Sequence, residues 1–117
     1  MYPNKISMSV EVKKSIFLET FGESPLIKVL DFFLTFPGFD YSKTQVAKEA
    51  GISRITIEKI WDGLIKRGII IKIRSIGKAE LYKLNTDNPR VKILMKIGIE
   101  LASSYFEETK RKIAVPA

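Results

Sequence analysis

Two helix starts, Ser42 and Ser53, flank a single glycine, Gly51, and no other feature of the sequence constrains the fold as tightly. Ser42-Lys43-Thr44-Gln45 has the spacing of a capping box, in which the serine hydroxyl accepts from the backbone three residues on and the glutamine side chain reaches back. It predicts a helix over 43–50. Gly51-Ile52 turns the chain, because glycine enters the left-handed region without the Cβ clash that other residues meet. Ser53 then caps a second helix over 54–67, whose inward face is Ile57, Ile60, Trp61 and Leu64, and Gly68 closes it. Ala47 falls where the two helices cross and a larger side chain would force them apart. Val46, Ile52, Ile57 and Ile60 fill the space between them.

The flanking segments complete the pattern. Residues 1–8 lack periodicity and contain Pro3, which predicts a loose arm. Val10, Ile16, Phe17 and Phe21 fit a helix over 9–22, ending at Gly22. Ser24-Pro25 starts the next helix, since proline at the first helical position lacks only an N–H that would go unbonded there. Its stripe of Leu26, Val29, Leu30, Phe33 and Leu34 makes it central to the core, and Pro37-Gly38 stops it. Phe39-Asp40-Tyr41 is long enough only for a bridging strand. Beyond the helix-turn-helix, residues 69–74 and 79–85 are β-rich runs around Ser75-Ile76-Gly77-Lys78, a hairpin whose Gly77 permits positive φ. Asn88-Pro89 opens a last helix running to about Lys110. The order of elements is that of a winged helix-turn-helix: mainly α with a small β-hairpin wing, an α+β chain with a long C-terminal helix. Residues 1–23 supply an N-terminal arm and helix, 24–86 the winged unit and 87–117 the last helix and tail, all in one compact domain.

Composition narrows the chemistry. The 117 residues, 45% hydrophobic, suffice for one core without disulfides or metal staples. Cysteine and histidine are both absent, which removes thiol nucleophiles, Cys/His zinc sites, Ser-His-Asp triads and histidine acid-base catalysis. With no phosphate-binding glycine loop and no metal-ligand cluster, the chain reads as a non-enzyme without cofactor or metal. No run approaches a membrane span and the N-terminus lacks the apolar core of a secretory signal, so a cytoplasmic protein is expected. The formal charge of +7 is concentrated: residues 42–83 hold ten of the 20 bases and only four of the 13 acids. A polyanionic partner follows.

The segment Ala47-Lys48-Glu49-Ala50-Gly51-Ile52-Ser53-Arg54-Ile55-Thr56-Ile57, with Leu-Ile-Lys-Arg-Gly-Ile-Ile over 64–70, resembles the helix-turn-helix core and the helix-to-wing junction of archaeal and bacterial winged helix-turn-helix transcriptional regulators. That broad group holds the MarR-like, ArsR-like and PadR-like proteins, and the resemblance covers residues 24–85 without separating the subfamilies. It implies a regulator of double-stranded DNA whose second motif helix enters the major groove, leading residues nearest the bases. Arg54, Ile55, Thr56 and Lys59 occupy that face here. Arg54 suits a bidentate contact to guanine and Ile55 a thymine methyl, while Arg54 has an alternative partner in Glu58 one turn on. Ser42, Lys43 and Thr44, with Ser53, sit at helix N-termini that favour phosphate. In the wing, Lys72, Arg74 and Lys78 are expected at the flanking groove or backbone, with Arg74 and Lys78 foremost.

The last helix carries apolar residues at Val91, Leu94, Met95, Gly98, Leu101, Ala102 and Tyr105, more surface than one compact core needs. It is expected to form a homodimer through these residues, with two recognition helices about one DNA turn, ~34 Å, apart. The alternative is a helix folded back on its own domain. Two other functions fit the same fold: sequence-tolerant architectural binding of nucleoid DNA, and a winged-helix protein-interaction module. The sequence assigns no small-molecule effector.

Overall fold

The structure, a computed structural model, describes residues 15–114; the expected loose arm at 1–8 and the residues 9–14 of the first expected helix lie outside the described residues. Four helices begin at serine. Ser15, Ser24, Ser42 and Ser53 each hold an extended backbone, and each hydroxyl accepts an N–H three residues on, which satisfies one of the donors a helix start leaves unpaired. These caps start α1 (Ile16–Phe21), α2 (Pro25–Thr35), α3 (Lys43–Ala50) and α4 (Arg54–Lys66). The extended backbone of Ser15 interrupts the continuous helix expected over 9–22, and its described part is α1. Gly51 takes φ 73°, as the turn between α3 and α4 requires, and its N–H bonds back into α3.

The two strands β1 (Ile70–Ile76) and β2 (Ala79–Leu84) pair antiparallel around the two-residue turn Gly77-Lys78. The pairing continues through Ile76, so the turn is tighter than the four-residue loop expected from sequence. Between Lys72 and Arg74 the register slips, leaving Ile73 as the extra residue of a β-bulge. The bridging strand expected at 39–41 reduces to Tyr41, which pairs with Tyr82 through two backbone hydrogen bonds of 2.7 Å.

The core gathers Val29 and Phe33 of α2, Val46 and Ala47 of α3, Ile57, Trp61 and Leu64 of α4, then Ile69, Ile70 and Leu84 of the wing base. Ala47 is buried at the α3–α4 crossing, in keeping with its size. Trp61 stands edge-on to Tyr82 at 5.3 Å and close to Phe33, which places it in the core rather than on a stacking surface.

The last helix, α5, runs Pro89–Ala114, four residues further than expected. Its start is fastened to the end of α4. Asn85 Nδ2 and Asn88 Nδ2 donate to the Gly68 carbonyl at 3.0 and 2.8 Å, Asn88 Nδ2 also reaches the Arg67 carbonyl, and Asn88 Oδ1 caps the Arg90 N–H at 2.8 Å. One asparagine therefore satisfies carbonyls at the C-terminus of one helix and a donor at the N-terminus of the next. Between Met95 and Ala102 the helix borders an apolar cleft of about 340 Å³ shared with α1 and α2. Ser15 Oγ donates to Asp31 Oδ1 at 2.9 Å on the wall of that cleft.

Candidate nucleic-acid interface

The leading turn of α4 is set by Ser53, whose Oγ accepts the Thr56 N–H at 3.1 Å and donates to Thr56 Oγ1 at 2.8 Å. Thr56 is therefore half-buried and occupied with the cap, while its neighbours point outward. Ile55 is 70% exposed, and Arg54 and Lys59 are also exposed. An isoleucine that open costs solvation with no internal contact in return, so its position marks the outer face of this helix. Arg54 has no ion pair among the described residues. Glu58, its alternative partner in sequence, is taken instead by Lys43 Nζ at 2.8 Å, across the α3–α4 crossing. Asp62 lies farther along the same exposed face.

The start of α3 lies beside this face. Ser42 Oγ accepts the Gln45 N–H and Gln45 Oε1 accepts the Ser42 N–H, at 3.1 and 2.9 Å, completing the capping box. Ser42, Lys43 and Thr44, together with Asp62 of α4 and Lys78, Glu80 and Tyr82 of the wing, line a groove of about 530 Å³. A lysine from α3 and one from the wing tip thus border the same groove.

The wing divides its cations. Lys78, in the turn, is exposed and has no ion pair among the described residues. Lys72 is held by Glu80 across the hairpin at 3.2 Å, a surface pair of the kind worth ~0 to 1 kcal/mol. Arg74, expected at the DNA-facing tip, is turned back: its Nε and Nη2 donate to the two carboxylate oxygens of Asp40 at 2.8 and 3.3 Å. The reason is the bulge at Ile73, which changes the alternation of side chains along β1. The hydrogen bond from Arg74 holds the Asp40 carboxyl below its ordinary range, with Lys83 adding to the effect, and the same bond raises the Arg74 guanidinium above its own. Burial raises the Tyr82 hydroxyl, reinforced by Glu80. Sequence reading missed Asp40. The available signal was an acid in a bridging strand beside a hairpin otherwise rich in bases.

The last helix also needs a correction. Val91 is fully buried in the core of its own chain and so is not available to a partner, while Met95 packs partly against the same core and partly lines the cleft. Helical periodicity put them on the apolar stripe but does not say which chain covers it. Gly98 and Ala102 line the cleft; Leu94 and Leu101 are half-buried and Tyr105 is exposed. Ile93 and Ile99, which widen the apolar surface of this helix in the sequence, are more open still, and so is Phe106, at 67%, which sequence reading did not single out.

Among the described residues no cluster of acids, cysteines or histidines is arranged to hold a metal ion, and no helix is long and apolar enough to cross a membrane.

A helix-turn-helix followed by an antiparallel hairpin and a long C-terminal helix defines the winged helix-turn-helix fold. No protein-family profile and no curated protein matches the sequence. Solved structures do share the architecture. The transcriptional regulator PA3341 matches with a TM-score of 0.54 and 18% identity, over 79% of this chain and 66% of that one. The transcriptional repressor CouR, solved on a 23-mer DNA duplex, matches with a TM-score of 0.52 and 18% identity, over 91% and 75% of the two chains. The PcaV transcriptional regulator of Streptomyces coelicolor gives 0.50 and 21%, over 91% of each. The chain spans just under two thirds of PA3341 and three quarters of CouR.

Proposed function

We propose that this protein is a homodimeric transcriptional regulator that binds specific sequences of double-stranded DNA in the cytoplasm, on the nucleoid, and is not an enzyme. The observation that carries the reading is the face built by the start of α4: Arg54, Ile55 and Lys59 stand exposed and unpaired on a helix whose N-terminus is open, with Lys78 of the wing and the capped start of α3 beside it. A helix about 10 to 12 Å across fits the ~12 Å major groove. In that pose Arg54 and Ile55 meet base edges, Lys59 the groove wall, and Thr44 and Lys78 the flanking phosphates. Lys43 and Lys72 reach phosphate only by exchanging Glu58 and Glu80 for it, and Ser42, Ser53 and Thr56 support the face as caps. The likeness to a repressor solved on DNA supports the same use of this fold.

The dimer contact, in this reading, uses Leu94, Leu101 and Tyr105 with the small Gly98 and Ala102. Exposed Ile93, Ile99 and Phe106 extend the surface.

The test is fluorescence anisotropy on the DNA upstream of the gene and on a scrambled duplex, at two salt concentrations. A preference of about a hundredfold or more that survives the higher salt is expected. Arg54→Ala is expected to cost ~1 to 3 kcal/mol and to relax one base position, whereas Lys78→Ala weakens every sequence alike and lowers the salt slope by about one. Equal affinity for both duplexes would replace the regulator by an architectural DNA-binding protein, and no binding to either would replace it by a protein-interaction module.

A further inference from the structure

We propose that Asp40 and Arg74 form a latch that fixes the pitch of the wing, so that Arg74 acts on nucleic acid by positioning Lys78 and the wing tip rather than by touching DNA itself. The inference rests on the DNA-binding reading above. Alternation along a strand would put Arg74 on the inner face with Lys72, whose cross-strand neighbour Tyr82 packs on Trp61. The extra residue Ile73 resets that alternation, and Arg74 comes to pair with Leu81 on the outer face. Asp40 is on that face too, because its neighbour Tyr41 is the residue bridged to Tyr82.

To reach Asp40 from β1, the Arg74 side chain crosses β2. Leu81, which it crosses, is 7% exposed although it lies outside the main core cluster. The guanidinium contact is two-point, with both carboxylate oxygens engaged, and a planar fork on a carboxylate fixes orientation in a way that a single lysine contact does not. Asp40 leads directly into Tyr41 and the capped start of α3. The latch therefore joins the outer strand of the wing to the segment that also positions the helix-turn-helix.

The rival use of the same geometry is a store, in which Asp40 holds Arg74 in the free protein and DNA draws it away. The two predict opposite signs. Removing the Asp40 charge takes a negative group from a DNA-facing surface and, in the store, frees a cation, so Asp40→Asn would bind duplex more tightly. As a latch, Asp40→Asn binds more weakly, by roughly tenfold, a loss of the size of one missing contact. Arg74→Ala weakens binding to a similar extent with the salt slope unchanged, whereas loss of a true phosphate contact lowers the slope by about one. The charge exchange Asp40→Arg with Arg74→Asp recovers most of the affinity.

The DNA-free arm is amide hydrogen exchange at Tyr41 and Tyr82, whose mutual bonds sit beside the latch. Exchange there quickens several-fold in Asp40→Asn and Arg74→Ala and stays at the wild-type rate in Lys78→Ala. Tighter binding by Asp40→Asn, a reduced salt slope in Arg74→Ala, or unaltered exchange at both tyrosines overturns the latch. If the wild-type protein binds no duplex, the DNA-binding reading fails, and the exchange arm alone decides whether the latch exists.

Discussion

Residues 42–84 and the helix α5 dispose of their apolar side chains in opposite ways. In the first, Val46, Ile57, Trp61, Leu64, Ile70 and Leu84 close on one another and on α2, and most of what faces water is polar or charged. In the second, burial is complete at Val91, partial at Met95 and nearly gone beyond Leu101, where Tyr105 and Phe106 are exposed. The first unit is finished within one chain. The second is finished only up to its first turns, although the two are joined through the same pair of asparagines. An amphipathic stripe says how much apolar surface an element has; whether its own chain has enough neighbours to cover that surface is a separate matter, decided by helix length against domain size.

The comparison can be broken most forcefully at Ile57. Truncating this fully buried side chain to alanine should cost ~2 to 5 kcal/mol through lost transfer energy and a residual cavity, read as a fall in the thermal or denaturant midpoint. A smaller loss, below about 1 kcal/mol, would mean that the helix-turn-helix core is less closed than it looks. Leu101→Glu probes the other half. Half-buried on α5, this residue should tolerate a charge with only a modest change in protomer stability, while light scattering reports half the mass of the wild type. An unchanged mass would show that the surface beyond Met95 is not a dimer contact.

The smallest expected effect is electrostatic and tests where the wing meets the segment leading into α3. Arg74 depresses the Asp40 carboxyl below its unfolded value of about 3.9. A depressed folded pKa makes the contribution complete above the unfolded value and removes it as the pH falls through the folded one. Stability of the wild type should therefore decline below about pH 4 by slightly more than that of Asp40→Asn, measured as urea midpoints at pH 7 and pH 3. Parallel declines would show the exposed pair to be energetically idle.

Much of this architecture could be read before any coordinates, because it is written in local rules. Serine before a helix, proline at its first position, glycine at a left-handed turn and a β-rich run around Gly77 each act over three or four residues. Contacts between distant segments were not legible in this way. Asp40 and Arg74 are 34 positions apart and meet only because Ile73 bulges, and no propensity marks that bulge. Lys43 prevails over Arg54 for Glu58 because α3 crosses α4 at that point, a fact about packing that helical spacing does not contain. Val91 was misassigned for the same reason. Its stripe was correct, and the surface that covers it belongs to the chain's own core.

The asparagine fastening at Gly68 has a mechanical consequence. α5 is a rod of 26 residues, about 39 Å from end to end, pivoted at Asn88 against the last carbonyls of α4. A sideways push of about 3 Å at its far end is a rotation of only about 4° at that pivot. Were the same rotation carried rigidly into the 13 residues of α4, about 20 Å long, it would swing Arg54 by about 1.5 Å, half the length of a hydrogen bond. The two lengths set the ratio at about two to one, so any displacement passed through that fastening would arrive at the exposed face of α4 halved.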